Sequence, residues 1–346
     1  MIDESTTFGA VPDGREVRKY TLINARGFSV DAITLGCRIT RIAAPDRDGC
    51  FSNVVLCCDT LEGYLRDDTY LGACVGRMAN FIGGSVLRIE GREYRVDPNY
   101  GLHSLHGGFS GFHQAIWEVA DAGPDFVTFT HFSPAGEGGY PGAVEMLVRY
   151  ELGEKNDLSI RYMASADAVT PLNPTNHCYF NLSGDPRRNI RDHVLQLRAD
   201  RYTETAPDGI PTGRLPAASG TPFDFSVAKK LGRDLDDPGL AAWGGYDVNY
   251  TLCGDDREPV AVLNHPACGR VMTMYTDMPG LQLYTSNEAD PSAQISGAEG
   301  LFPHQAVCLE TQYYPDAPNH TGFPYALLQP GEIWQSTTRY VFDVAE

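Results

Sequence analysis

The chain has 346 residues, of which 42% are hydrophobic and 21% charged, and its formal net charge is −18. This length can bury a full core without disulfides or a structural metal. The acidic balance repels a phosphate backbone, which disfavours nucleic acid as a partner; it also disfavours phosphorylated or carboxylated ligands unless a local basic pocket overrides the field, and it suits a neutral sugar.

The first twenty residues, MIDESTTFGAVPDGREVRKY, are polar and acidic. They contain no apolar core of the kind a secretory signal needs. No later stretch is apolar enough to span a bilayer, so no membrane association is expected. The nine cysteines, Cys37 to Cys308, are irregularly spaced and form no CxxC pair. That pattern argues against a zinc ribbon or a thioredoxin-like motif. Reduced thiols in a reducing compartment are the simpler reading, and a cytoplasmic location is expected.

Segments of strand-like alternation follow one another along the chain. They begin at Phe28 (FSVDAITL), Val127 (VTFTHF), Glu145 (EMLVRYEL), Asp157 (DLSIRYMASA), His193 (HVLQLRAD), Arg270 (RVMTMYTD), Leu281 (LQLYTS) and Arg339 (RYVFDV). β-Branched and aromatic residues at period two mark half-buried strands. Residues 122–125 and 153–157 read as hairpin connections. The best helix candidate, around 226–235, is short. Many strands and few helices predict an all-β protein, a large double sheet. No linker or repeat divides the chain, so residues 1–346 are expected to form one domain. A concave sheet face would offer a sugar-sized cleft.

Six polar segments could carry chemistry. They contain Arg77 and Asn80 (GRMAN), His106 (LHGG), His177 (TNHCYFNL), Asp247 (GYDVNY), Gln282 (LQLY) and Glu310 (CLETQ). Singly, each has an ordinary explanation. Arg77 suits a surface ion pair, His106 a turn, His177 a backbone-bonded core site, and Asp247 an Asx-type turn. Gln282 suits a solvent-facing strand position. Glu310 follows the apolar run 306–309, and an ionised carboxylate there would need a partner. Together, Arg, Asn, Gln, Asp and His supply the donors and acceptors that match sugar hydroxyls. Tyr140, Tyr179, Phe180, Tyr246 and Tyr284 could face the apolar side of a pyranose. If residues 306–312 form a strand, Glu310 and Gln312 share a face opposite Val307 and Leu309.

The ordered set of motifs resembles the aldose 1-epimerase (galactose mutarotase) family over nearly the whole chain. It also includes Phe8-Gly9, SPAGEGGYPG from Ser133, TPLN from Thr170, IPTG from Ile210, TPFDF from Thr221 and LQPGE from Leu328. The resemblance implies a β-sandwich of the galactose mutarotase type and a pocket for a free aldose such as galactose or glucose. It implies no metal and no organic cofactor, with a monosaccharide as the only partner and a monomer or homodimer as the assembly. It makes Glu310 the catalytic base and His177 the general acid. It assigns Arg77, Asn80, His106, Asp247 and Gln282 to sugar binding, with His103 competing with His106 for the contact at the ring oxygen. The chain departs from the family pattern at Gly111-Phe112-His113 and at Cys57-Cys58-Asp59; neither change touches a proposed catalytic residue, and pocket edges or substrate preference are where an effect is expected.

Anomer interconversion needs one acid and one base that can exchange roles. A resting pair of protonated His177 and ionised Glu310 is therefore expected. A non-catalytic sugar-binding module, a glycosidase using Asp247 and Glu310, and a metal enzyme using His103, His106 and His177 are the competing readings.

Overall fold

The structure is a computed structural model that describes residues 5–253 and 257–345. Alternation sets its architecture. In the strand Val144–Gly153, Val144, Met146, Val148, Tyr150 and Leu152 are buried and the intervening residues are more exposed. The strand Asp157–Ala166 repeats the pattern with Leu158, Ile160, Tyr162 and Ala164. A period of two puts one face of each pleated strand into the core. The two pair from Val144↔Ala166 to Gly153↔Asp157 through the expected hairpin.

These strands belong to an antiparallel sheet of nine. Its order is Glu118–Ala122, Phe126–Ser133, Val144–Gly153, Asp157–Ala166, Ile333–Val344, Arg270–Thr276, Ala261–Asn264, Val194–Leu197 and Lys229–Lys230. The strand latest in chain order, Ile333–Val344, thus lies at the centre, hydrogen-bonded to Asp157–Ala166 on one side and to Arg270–Thr276 on the other. A second sheet of five is a meander from Thr6–Ala10 to Phe51–Asn53.

A third sheet has four strands, in the order Ala199–Tyr202, Asp247–Leu252, Gly280–Tyr284 and Cys308–Gln312. Its inner side chains, Val248, Tyr250, Leu281, Leu283 and Leu309, join one core cluster with Met272, Met274, Tyr340 and Phe342 of the nine-stranded sheet. The hydroxyls of Thr311 and Thr338 meet at 2.6 Å across the same interface. Packing that face inward turns Asp247, Asn249, Gln282, Glu310 and Gln312 to the opposite side, where a cleft is lined.

The fold is all-β, as the alternation indicates, and every segment named above as a strand lies in one or overlaps one. The helix expected around 226–235 is not formed. Lys229–Lys230 pairs instead with Val194–Leu195, and a single 3-10 turn follows at Leu231–Arg233. Gly232 explains part of this, because a Cβ there would stand 2.7 Å from the Arg191 carbonyl oxygen, so the segment is pressed against that loop. Among the described residues the only α-helix is Leu61–Arg66, where the Thr60 hydroxyl caps the Gly63 N–H at 3.2 Å. No helix among them is long and apolar enough to cross a membrane.

Candidate active site

The four-stranded sheet arranges its polar side chains in rows. Asn249 stands opposite Gln282, and Gln282 opposite Glu310, on three adjacent strands. Asp247 lies two residues before Asn249 and therefore on the same face. The Gln282 amide donates to Asp247 Oδ1 at 2.6 Å, and the Asn249 amide donates to the Thr203 hydroxyl at 2.8 Å. Cys308, two residues before Glu310, completes this face of its strand.

His177 approaches from a separate segment. Its N–H donates to the Ala73 carbonyl at 2.8 Å, and its carbonyl accepts from the Gly72 N–H at 3.0 Å. The ring stacks on Tyr179, centroids 5.1 Å apart. His177 Nε2 stands 3.6 Å from Glu310 Oε1, and His177 Nδ1 stands 3.6 Å from Cys308 Sγ. All three side chains are buried.

His106 closes the other side, its ring 5.2 Å from that of His177. It sits in the left-handed region at φ 51°, followed by Gly107 at φ 93°. A Cβ on Gly107 would come within 1.9 Å of the Gly76 carbonyl oxygen, so only glycine lets the two motifs approach this closely. His106 Nδ1 accepts the Asn80 backbone N–H at 3.2 Å. Its proton therefore lies on Nε2 in the neutral ring. Tyr70 packs over the histidines, 4.6 Å from His106, 4.7 Å from His113 and 5.8 Å from His177.

Burial governs the protonation of this cluster. It pushes His177 down to about 4 and His113 down to about 3. It pushes His106 well below the usual histidine range, with His177 and His113 adding to the effect. It raises Glu310 well above the carboxylate range, and the neighbouring Asp247 charge raises it further. Burial lifts Asp247 to about 6 despite the hydrogen bond from Gln282. Both members of the His177–Glu310 pair are thus driven toward their neutral forms. Burial thus opposes the expected resting imidazolium–carboxylate pair and favours the neutral imidazole and carboxylic acid.

Three features mark where a ligand would bind. Glu310 Oε2, Gln282 Oε1 and Gln312 Oε1 are buried and have no hydrogen-bond partner. Buried polar atoms seldom stay unsatisfied unless something completes them. Beside them, Asn80, Asp247, Asn249 and Gln282 line a cavity whose other wall carries Phe81 and Trp243. Among the described residues no lysine or arginine lines that cavity.

The sequence-based site residues do not all converge. Glu310, His177, His106, Asp247, Gln282 and Asn80 gather around the cleft. Arg77 does not. Its guanidinium donates to the Ser133 hydroxyl at 2.9 Å, to the Ser133 and Pro134 carbonyls at 2.8 Å, and to the Pro141 and Gly142 carbonyls at 3.0 and 2.7 Å. These bonds occupy all five N–H groups, so none is left for a sugar. His103 lies at the rim. Its Nδ1 accepts the Gly84 N–H at 3.0 Å and its Nε2 is 3.7 Å from Asp208. Of the five aromatics anticipated as a platform, Phe180 and Tyr246 are in the main core and Tyr140 packs under Arg77. Only Tyr179 and Tyr284 adjoin the histidines. Sequence reasoning missed Tyr70, Phe81, Trp243 and Asn249 as site residues, and it noted His113 only as a departure from the family pattern. Phe81 and Asn249 each stand beside a recognised motif residue, which was the available signal.

One donor atom from each of His106, His177 and Glu310 lies within 4.8 Å of the others, a spacing that could hold an ion. The histidine chemistry opposes this. His106 Nδ1 is occupied by the Asn80 N–H and Nε2 by its own proton, so neither nitrogen offers a lone pair. The set is better suited to moving a proton between two buried groups beside a hydroxyl-rich ligand.

Comparison with known proteins agrees with this geometry. The aldose 1-epimerase family model matches residues 18–341. The chain is 40% identical over 343 residues to human galactose mutarotase, covering 98% of each chain. It is 35% identical over 349 residues to Escherichia coli aldose 1-epimerase, covering 99% of each. Galactose 1-epimerase from Lactobacillus acidophilus superposes with a TM-score of 0.87 at 26% identity over 99% of both chains. A Caenorhabditis elegans aldose epimerase homologue superposes with a TM-score of 0.89 at 27% identity, over 95% of this chain and 99% of that one. The chain, a β-sandwich with the galactose mutarotase fold, belongs to the aldose 1-epimerase family of isomerases.

Proposed function

We propose that the protein interconverts the α and β anomers of a free aldose of the glucose or galactose type, using Glu310 as base and His177 as acid. One observation carries the reading. A buried Glu310 with an unsatisfied carboxylate oxygen faces His177 at 3.6 Å, at the end of a row of sugar-type donors and acceptors. Asp247, Gln282, Asn80 and His106 hold the sugar in this reading.

The chemistry begins when a sugar hydroxyl donates to Glu310 Oε2. That bond favours the carboxylate, and the shared proton passes to His177 Nε2. Glu310 then takes the proton from the C1 hydroxyl while His177 gives its Nε2 proton to the ring oxygen, and the C1–O5 bond breaks. The C1–C2 bond of the open aldehyde rotates. O5 then attacks the other face of C1, its proton returns to His177 and Glu310 reprotonates O1. The His106 Nε2–H is a fixed donor for charge that develops as the ring opens.

A glycosidase would set a second carboxylate across the scissile bond. Here the group facing Glu310 is His177, and Asp247 lies on the same sheet, tied to Gln282. A cavity without lysine or arginine favours an uncharged sugar over a sugar phosphate. The family match over residues 18–341 supports reading the chain as one catalytic domain; in this reading it works as a monomer or homodimer without nucleic acid or membrane. Nine unpaired cysteines support a cytoplasmic location.

The test is polarimetry on freshly dissolved α-D-glucose and α-D-galactose. Faster approach to anomeric equilibrium with the wild type and none with Glu310→Gln is the expected result. A wild type inert toward both hexoses and toward pentoses would overturn the reading.

A further inference from the structure

The proposed cycle places a demand on His177 that the Glu310 contact does not meet. Nε2 must be bare to receive the proton and protonated to deliver it. Nδ1 must then carry its own proton throughout, because a neutral imidazole has only one. A free neutral imidazole side chain prefers the opposite tautomer, with the proton on Nε2. Something in the protein has to hold the proton on Nδ1, and that requires an acceptor beside it.

The side chain at that position is Cys308. Its sulfur lies 3.6 Å from His177 Nδ1, within the range of a hydrogen bond to sulfur. Cys308 is fully buried on the strand Cys308–Gln312, on the same face as Glu310. One strand therefore presents both nitrogens of the ring with their partners. Tyr179, stacked 5.1 Å behind the ring with its hydroxyl bonded to the Thr69 carbonyl at 2.9 Å, fixes the ring plane. The His177 carbonyl accepts from the Gly72 N–H and keeps a second lone pair toward the ring, so it shares with Cys308 the acceptor side of the imidazole.

We propose that Cys308 is a positioning residue for the acid of this site: its sulfur accepts the Nδ1–H of His177 in both protonation states and so keeps Nε2 as the atom that exchanges the proton with the sugar. A thiol suits the task because sulfur is a weak acceptor. A carboxylate at this position would stabilise the imidazolium and hold the proton on His177. Sulfur directs the tautomer without trapping the charge. Burial holds the thiol in its protonated form, so no thiolate intrudes on the pair. The inference rests on the acid–base reading given above.

The test combines nitrogen-15 NMR of the histidine side chains with steady-state polarimetry on the full-length protein. The His177 resonances are assigned by their loss in His177→Asn. In the sugar-free wild type at neutral pH, His177 should show a protonated Nδ1 and a bare Nε2. Cys308→Ala should move the ring toward the Nε2–H tautomer and lower kcat about ten-fold, the worth of one hydrogen bond, with KM within about two-fold. Cys308→Ser, which restores an acceptor, should recover both the tautomer and most of the rate. A wild-type ring protonated on Nε2 overturns the proposal, even if Cys308→Ala does not fold. So does a folded Cys308→Ala with unchanged shifts and unchanged kcat. If the wild type catalyses no anomer exchange, the proposed function fails, while the NMR result still reports independently on the Cys308–His177 contact.

Discussion

The backbone N–H of Asn80 and Nδ1 of His106 share a hydrogen bond of 3.2 Å, which makes the buried His106 ring a donor through Nε2. Backbone sets the tautomer, and burial prevents a second proton. Replacing His106 with Phe keeps the ring volume and removes the donor. We expect kcat to fall on the order of 10²-fold, as when an oriented donor is lost from a charge-stabilising site. The check is polarimetric kcat alongside an unchanged circular dichroism spectrum.

Removing either member of the central pair should cost more. Glu310→Gln and His177→Asn should each lower kcat by roughly 10²–10⁴-fold, the usual contribution of a positioned proton-transfer group. The double variant should be little worse than either single one, because the two groups share one proton. A double variant whose losses multiply would argue against a shared proton.

Activity should require one proton on the pair. Below about pH 4 His177 is also protonated, Glu310 cannot act as base, and the rate should fall. At high pH the rate should fall as Glu310 loses its proton, at a value raised by burial and by Asp247. Asp247→Asn removes that charge and should move the alkaline limb to lower pH while raising KM. The measurement is kcat/KM against pH for both proteins.

Stability should decline on acidification. His177, His113 and His193 have folded-state pKa values depressed by burial to about 4, 3 and 3. Below about pH 6.5 the unfolded chain binds protons at these sites that the folded chain does not, so stability is lost as pH falls. The raised carboxyls Glu310 and Asp247 act in the opposite direction, because the folded state binds the extra proton at those two groups. Burial also lowers His106, His131, His265 and His304 and raises Asp316, so seven depressed histidines outnumber three raised carboxyls. Thermal melts should therefore show Tm falling between about pH 6.5 and 4.

Arg77 should behave as a structural residue. Arg77→Lys would leave several buried carbonyls of the 133–142 loop without donors, and should destabilise the protein by at least ~2 kcal/mol in urea titrations. Gln282→Ala should do the reverse, raising KM with little change in unfolding midpoint.

The strands and the catalytic strand were legible in the sequence because a period of two reports burial directly. The alternation of residues 306–312 correctly puts Glu310 and Gln312 opposite Leu309. Arg77 was not legible, because its partners are main-chain carbonyls 56 to 65 residues away, and carbonyls leave no mark on sequence. The apolar spacing of Val227, Leu231 and Leu235 looks helical, but pairing with Val194–Leu195 overrides it. The charge state of the His177–Glu310 pair was also hidden. It depends on how completely His177 and Glu310 are removed from water, and that is a tertiary property.

The central place of the strand Ile333–Val344 has a consequence for biogenesis. Among the described residues it joins the two halves of the nine-stranded sheet, and Thr338 at its middle meets Thr311 of the four-stranded sheet. A ribosome delivers this strand after the other eight. Until it emerges, the halves have open edges, and the sheet bearing Glu310 has lost one of its fastenings. Nascent chains stalled before residue 333 should therefore be protease-sensitive and inactive, and should rely on holding chaperones. Acquisition of activity should coincide with emergence of residues 333–344 rather than with completion of any earlier segment.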